Sequence, residues 1–237
     1  MWLYRLNGIL RPLGAVFFSL RAKGSGAIPS TGPLLLAVNH CSFLDPWLLA
    51  GIVRKRQIRF LINERWYHRS ALWTHLFDAW GVLPASRHHP EKTVLHVVQA
   101  LEKGDAVAVF PEGKISSNGL ISRGRVGIGW MAAMAGVPVL PCALVGSFQV
   151  LPKHRRFPRP APVELRIGEF LEYPCAEMPP TLEHVHDFST RVMEAICRLA
   201  NQTERISMAA PRPPSMDLGR ILRQGETGEW SLPPELE

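Results

Sequence analysis

Short apolar runs alternate along the chain with stretches in which apolar residues recur every three to four positions. Each run is too short for a typical helix and is bounded by Gly, Pro or polar residues, which predicts buried strands. The predicted strands are residues 34–38, 58–62, 82–85, 105–110, 137–145 and 163–167. The predicted helices are residues 47–54, 65–80, 90–103, 126–135 and 182–206.

Strands that alternate with helices indicate βαβ units. We therefore predict an α/β fold with a mostly parallel central sheet that is covered by helices on both faces. In such a sheet the carboxyl ends of parallel strands share one edge, and ligands bind there. Residues 24–207 are expected to form this domain.

The first 22 residues mix aromatic and aliphatic side chains with Arg5, Arg11 and Arg21. No uninterrupted apolar span is long enough to cross a membrane, and the interspersed arginines are unlike a secretory signal peptide. Residues 1–23 are expected to form a helix that lies in a membrane interface, although a helix packed on the domain's own core fits the same pattern. Residues 208–237, rich in proline, are expected to be a disordered tail.

Three tryptophans, Trp66, Trp73 and Trp80, recur at seven-residue spacing in the predicted helix 65–80. On one continuous helix they would share a face. Such a stripe more often faces a core than a membrane, and the neighbouring histidines and arginine keep a membrane-interface role open.

The chain has 237 residues, of which 46% are hydrophobic, so it can bury a sizeable core. Its net charge of +7 favours an anionic partner, such as a nucleic acid, a phospholipid surface or a phosphorylated substrate. No base-reading motif is recognisable, so nucleic acid is not an expected partner. The four cysteines are widely spaced and form no CxxC, which favours reduced thiols in the cytoplasm over a disulfide framework or a zinc site.

His40 comes just after the predicted strand 34–38, and Asp45 stands five positions later. On one helix their side chains would point roughly 140° apart, so they meet only if the connection bends. An Asp that accepts from one imidazole nitrogen leaves the other nitrogen as a general base. The simpler interpretation is that Asp45, followed by Pro46, only caps a helix and that His40 is a polar strand end.

Other polar residues are predicted at the same edge of the sheet. Arg87 follows strand 82–85, and Glu112 and Gly113 follow strand 105–110. A base, a cation and a carboxylate at strand ends suit acyl or phosphoryl chemistry.

Four sequence blocks resemble those of the glycerolipid acyltransferase family, typified by lysophosphatidic acid acyltransferase. Residues 39–46 (NHCSFLDP) are similar to its NHxSxxD block, and residues 81–87 (GVLPASR) are similar to its GxIxxxR block. Residues 110–113 (FPEG) and 137–141 (VPVLP) are similar to its FPEG and VPVxP blocks. Because order and spacing also agree, the resemblance is much more specific than any single motif.

The resemblance implies transfer of a fatty acyl group from acyl-CoA or acyl-carrier protein to the free hydroxyl of a lysophospholipid, with lysophosphatidic acid as the preferred acceptor. It makes His40 the catalytic base and Asp45 its partner, and it implies no metal or redox cofactor. Such an enzyme would act at the cytoplasmic face of a membrane, as a peripheral or monotopic protein, and the positive charge predicts a preference for anionic lipid. The substrate-binding residues would be Asn39, Ser42, Arg87, Glu112, Gly113 and Lys114.

One block departs from the family pattern. The family usually has Glu-Gly-Thr-Arg-Ser, in which the arginine helps to bind the acceptor's phosphate, whereas residues 112–116 read EGKIS here. Ile115 cannot bind phosphate, so the charge would come from Lys114, Arg123 or Arg125, of which the lysine lacks the bidentate fork. The departure keeps two alternatives open, namely a different lysolipid or hydroxylated lipid as the acceptor, and a catalytically silent lipid-binding module.

Overall fold

The computed structural model of the protein describes residues 17–24, 28–174 and 180–211. Most of the predicted membrane-interface helix and residues 212–237 of the predicted tail lie outside the described residues, so both stay predictions. The strands are β1 (Arg21–Gly24), β2 (Leu34–Val38), β3 (Ile58–Asn63), β4 (Leu83–Ala85), β5 (Ala106–Val109), β6 (Val139–Val145) and β7 (Glu164–Ile167).

These seven strands form one sheet in the order β1-β7-β6-β2-β5-β3-β4. Neighbouring strands run parallel except for β6 and β7, which are antiparallel. This arrangement confirms the predicted mostly parallel sheet. The prediction that residues 21–23 belong to an N-terminal helix is wrong, because their backbone pairs with β7 as an edge strand.

The helices follow the predicted order, with additional short turns between them. They are α1 (Asp45–Ile52), α2 (Glu64–Tyr67), α3 (Ala71–Trp80), α4 (Pro90–Glu102), α5 (Gly127–Ala135), α6 (Ser147–Val150), α7 (Leu182–Leu199) and α8 (Ile206–Ala209), with a 3₁₀ turn at Thr203–Arg205. The predicted helix 182–206 ends early, at Leu199, and Asn201 then takes a left-handed backbone conformation with φ 56°. No helix among the described residues is long and apolar enough to cross a bilayer.

Side chains of β2 point alternately into two cores. Leu35 and Ala37 pack with buried residues of α4, α5 and α7, whereas Leu34, Leu36 and Val38 pack with those of α1. All five are buried, which explains the continuous apolar run and confirms the helical cover on both faces. Because β2, β5, β3 and β4 run in the same direction, their carboxyl ends meet at one edge.

The predicted single helix 65–80 is two helices. The first ends at Tyr67, and the second begins at Ala71. Between them Ser70 has an extended backbone, and its hydroxyl accepts from the backbone N–H of Trp73, which caps the second helix. Apolar periodicity does not reveal this break, because the same spacing continues across it.

The break also changes the tryptophan stripe. Trp66 lies on α2, whereas Trp73 and Trp80 lie on α3. Trp66 and Trp73 are exposed, and α3 has no fully buried residue. The core-facing interpretation is therefore wrong for Trp66 and Trp73, which leave an apolar surface open to solvent. Trp80 is half-buried and packs against Trp47, with 4.3 Å between ring centroids.

Candidate active site

His40 and Asp45 form a hydrogen-bonded pair just beyond the carboxyl end of β2. Nδ1 of His40 lies 2.8 Å from Oδ2 of Asp45, which is fully buried, while the His40 side chain keeps 16% of its surface exposed. Because an ionised carboxylate only accepts, Nδ1 carries the proton and Nε2 presents its lone pair. Within the described part of the chain, no residue hydrogen-bonds Nε2. The pair thus has the geometry of a base with its orienting group.

Asp45 holds the bend that brings it back to His40. Its Oδ2 also accepts from the backbone N–H groups of Cys41, at 2.7 Å, and Ser42, at 2.8 Å. The prediction of Asp45 as an N-cap is wrong, since Leu44 occupies that position without a side-chain cap bond and Asp45 is the first residue of α1. Its carboxylate binds the loop before the helix, and the positive helix N-terminus favours its negative charge.

The imidazole of His40 is fixed from the neighbouring strand as well. Its ring stacks on Phe110, which follows β5, with 4.1 Å between ring centroids and an interplanar angle of 17°. The backbone N–H of His40 donates to Oε1 of Glu112 at 2.9 Å, and its carbonyl accepts from the backbone N–H of Ser116 at 2.8 Å. Such support keeps a base close to its reactive geometry.

Glu112 is buried and connects two loops of the site. Its Oε1 accepts from His40, and its Oε2 accepts from both the backbone N–H and the hydroxyl of Ser122, at 2.8 and 2.7 Å. Burial raises the pKa of Glu112, while these hydrogen bonds act in the opposite direction. The carboxylate therefore shapes the site through the backbone positions that it holds.

Two arginines reach Gly113, where the backbone has φ 63°. Nη2 of the exposed Arg87 lies 3.5 Å from the Gly113 carbonyl oxygen. A methyl group added at Gly113 would lie 2.7 Å from Nε of Arg125, so that side chain packs against the glycine. Lys114 is exposed, and the described structure gives it no hydrogen bond or ion pair.

Asn39 and Ser42 lie beside the pair but are turned into the protein. The side-chain amide of Asn39 makes two hydrogen bonds with the backbone of Leu144 on β6. Its Oδ1 accepts from the Leu144 N–H at 2.7 Å, and its Nδ2 donates to the Leu144 carbonyl oxygen at 3.3 Å. The hydroxyl of Ser42 accepts from the backbone N–H of Leu44 at 3.1 Å. Both side chains are buried and stabilise the loop that carries His40.

The thiol of Cys41, next to His40, is in an environment that disfavours a nucleophile. Cys41 is only 3% exposed, and burial together with the charges of Asp45 and Glu112 raises its pKa to about 12. A thiol with such a pKa stays protonated at neutral pH, which argues against a thioester on this cysteine. Cys142 and Cys197 are also buried and free, as expected for reduced thiols.

Sequence reasoning missed two supports of the site. Phe110 belongs to the FPEG block, so the block itself could have indicated it, but nothing in the sequence predicts its stacking on His40. Ser122 carries no signal, because only the path of the loop after Glu112 brings it there.

The described residues contain no cluster of three or more His, Cys, Asp or Glu side chains able to hold a metal ion.

The family model named Acyltransferase matches residues 19–145, more than half of the chain. The chain belongs to the Acyltransferase family. The matched region contains the His40–Asp45 pair, Arg87, Glu112 and Gly113.

Curated relatives point the same way. The chain is 28% identical over 145 residues to the chloroplastic 1-acyl-sn-glycerol-3-phosphate acyltransferase LPAT1 of Arabidopsis thaliana, a match that covers 57% of this chain and 38% of that protein. It is 27% identical over 145 residues to the corresponding enzyme BAT2 of Brassica napus, with 57% and 40% covered. The chain thus spans about two fifths of the length of these two relatives.

The fold has a solved counterpart. The crystal structure of the 1-acyl-sn-glycerophosphate acyltransferase PlsC from Thermotoga maritima superposes with a TM-score of 0.67 at 20% identity. The match covers 86% of this chain and 80% of that one. At this identity the likeness shows a shared fold.

Proposed function

We propose that this protein is an O-acyltransferase that moves a fatty acyl group from a thioester donor to the free hydroxyl of lysophosphatidic acid. The product of this transfer is phosphatidic acid. The observation that carries the proposal is the His40–Asp45 pair, with Nε2 of the imidazole open to a substrate proton. Membership of the Acyltransferase family supports the reaction type. The acceptor named in the Arabidopsis and Brassica enzymes supports the choice of acceptor.

In the first step, Nε2 of His40 takes the proton of the acceptor hydroxyl while the hydroxyl oxygen attacks the thioester carbonyl carbon. A C–O bond forms, and the carbonyl electron pair moves onto oxygen to give a tetrahedral oxyanion. The carboxylate of Asp45 stabilises the imidazolium that results, because a charge-assisted hydrogen bond is stronger than a neutral one.

In the second step, the oxyanion collapses, the C=O bond re-forms and the C–S bond breaks. The leaving thiolate takes the proton from the His40 imidazolium, which restores the neutral base. A thioester is already reactive, so the proposed mechanism uses no metal and no redox cofactor. Phe110 and Glu112 keep the imidazole in place in both steps.

The acyl donor is proposed to be acyl-CoA or acyl-carrier protein. Both carry the acyl group as the same thioester, and the phosphates of both suit the chain's net charge of +7. The lipid acceptor would be taken from the cytoplasmic face of an anionic membrane, which the protein would bind peripherally. The exposed Trp66 and Trp73 support that part of the proposal, because tryptophan favours membrane interfaces.

A second candidate is transfer to an acceptor without a phosphomonoester, and Ile115 favours it because the family pattern has an arginine at that position. A silent lipid-binding module is the third. One assay of the wild-type protein with radiolabelled acyl donors distinguishes these three functions. We expect turnover with lysophosphatidic acid to exceed that with monoacylglycerol. Activity on monoacylglycerol alone would replace the proposed acceptor, and no turnover with any hydroxylated lipid would indicate the binding module.

A further inference from the structure

The arginine pair at Gly113, formed by Arg87 and Arg125, lies within the loops that support His40. Arg87 comes from the segment after β4 and reaches the Gly113 carbonyl oxygen. Arg125 comes from the loop before α5, and its Nε and Cδ lie 2.7 and 3.1 Å from the position of a Cβ added at Gly113. Two guanidinium side chains from distant parts of the chain therefore meet at one residue.

The loop between Gly113 and α5 holds Arg125 in this place. The backbone N–H of Arg125 donates to the Pro111 carbonyl at 2.8 Å, which closes the loop. Ser122 is bonded to the buried Glu112, and the backbone N–H of Ile121 donates to Gln202 at 2.9 Å. The backbone that carries Arg125 is therefore fixed relative to Gly113 at several points.

Within the described residues, neither arginine of the pair forms an ion pair with a carboxylate. The nearby carboxylate, Glu112, is turned inward to His40 and Ser122. Two exposed like charges held against the same residue repel each other, and an anion between them would remove that repulsion. Phosphate suits such a place, because each guanidinium can donate two parallel hydrogen bonds to it.

We propose that Arg125, paired with Arg87, binds the acceptor's phosphomonoester and takes the place of the charge that Ile115 cannot provide. The inference rests on the proposed function, because it needs an acceptor with a phosphate. Of the three cations named from the sequence, Lys114, Arg123 and Arg125, the inference selects Arg125. Arg123, two positions earlier, is exposed as well but is not among the nearest atoms to Gly113.

The test compares Arg125→Ala with the matched variant Arg123→Ala, which removes the same charge from the same loop. Loss of a charge-assisted contact weakens binding roughly 10- to 100-fold, so Arg125→Ala should raise the KM for lysophosphatidic acid by that factor. The KM for the acyl donor should hardly change. Arg123→Ala should have a much smaller effect on either KM. Arg125→Lys, which keeps the charge but loses the fork, should fall between wild type and Arg125→Ala.

A rescue experiment sharpens the result. Adding Ile115→Arg to Arg125→Ala returns an arginine to the family position and should recover much of the lost affinity for lysophosphatidic acid. Equal effects of Arg125→Ala and Arg123→Ala on that KM, in a wild-type background active on this acceptor, would overturn the role of Arg125 alone. Wild-type activity confined to monoacylglycerol would instead overturn the proposed acceptor, and the phosphate site with it.

Discussion

Replacing Asp45 with asparagine removes a charge while it can preserve the shape of the loop. Oδ2 accepts three hydrogen bonds, from His40, Cys41 and Ser42, whereas Oδ1 accepts none from the described residues. An amide oxygen at the position of Oδ2 keeps all three contacts, and its NH₂ group takes the position of Oδ1. The variant should therefore fold with a neutral acceptor behind His40.

The expected magnitudes follow from these bonds. A hydrogen bond to a charged group contributes about 1.5–3 kcal/mol, against about 0.5–1.5 kcal/mol for a neutral one. Weakening the two backbone bonds should lower the free energy of unfolding by roughly 2 kcal/mol. The bond to His40 matters most when the imidazole is charged, so its weakening should appear in kcat, as a loss of about 100- to 10,000-fold.

The assay measures kcat with lysophosphatidic acid and a radiolabelled acyl donor, beside urea unfolding followed by circular dichroism. We expect the large loss in kcat with a native-like spectrum and a modest fall in stability. A folded Asp45→Asn protein with nearly wild-type kcat would show that the carboxylate does not assist the base.

Three further changes test other parts of the site. In Glu112→Gln an NH₂ group faces a backbone donor, which should lower the free energy of unfolding by about 1–3 kcal/mol. Because burial raises the pKa of Glu112, the wild-type protein loses stability as pH rises from the ordinary carboxyl pKa through the raised one, so the difference in unfolding free energy between wild type and variant should become smaller. A difference that grows with pH would contradict this expectation. Cys41→Ser should keep most of the wild-type kcat. Iodoacetamide should not inactivate the native enzyme, because the pKa of the Cys41 thiol is about 12. Rapid inactivation through Cys41 would show that this thiol is reactive. Vesicles with anionic lipid should bind the protein better than neutral vesicles, with salt reducing the difference, and equal binding at low salt would exclude the electrostatic part.

The central strands of the sheet were predictable because they are buried on both faces. Leu34–Val38 is apolar at every position, as a central parallel strand covered on both faces requires. The break at Ser70 was not predictable, since a serine at a helix start and a serine within a helix look alike without the backbone. Edge strand β1 carries exposed residues at all four positions, so no apolar pattern marks it.

The candidate site divides in the same way. Strand ends bring His40, Arg87 and Glu112 to one edge, which alternation of strands and helices suffices to predict. The inward direction of Glu112 depends on Ser122, and the proximity of Arg125 to Gly113 depends on the path of a loop with no regular pattern. Long-range loop packing, rather than local sequence, decides these contacts.

In the proposed mechanism, Nε2 of His40 removes the proton from the acceptor hydroxyl. The test measures kcat of purified His40→Ala with lysophosphatidic acid. The control is His184→Ala, which removes an exposed histidine of α7 that is distant from the site in the sequence. We predict that His40→Ala loses about 100- to 10,000-fold in kcat while it keeps the wild-type circular dichroism spectrum, and that His184→Ala stays close to wild type. A folded His40→Ala enzyme that turns over at nearly the wild-type rate would exclude His40 as the catalytic base.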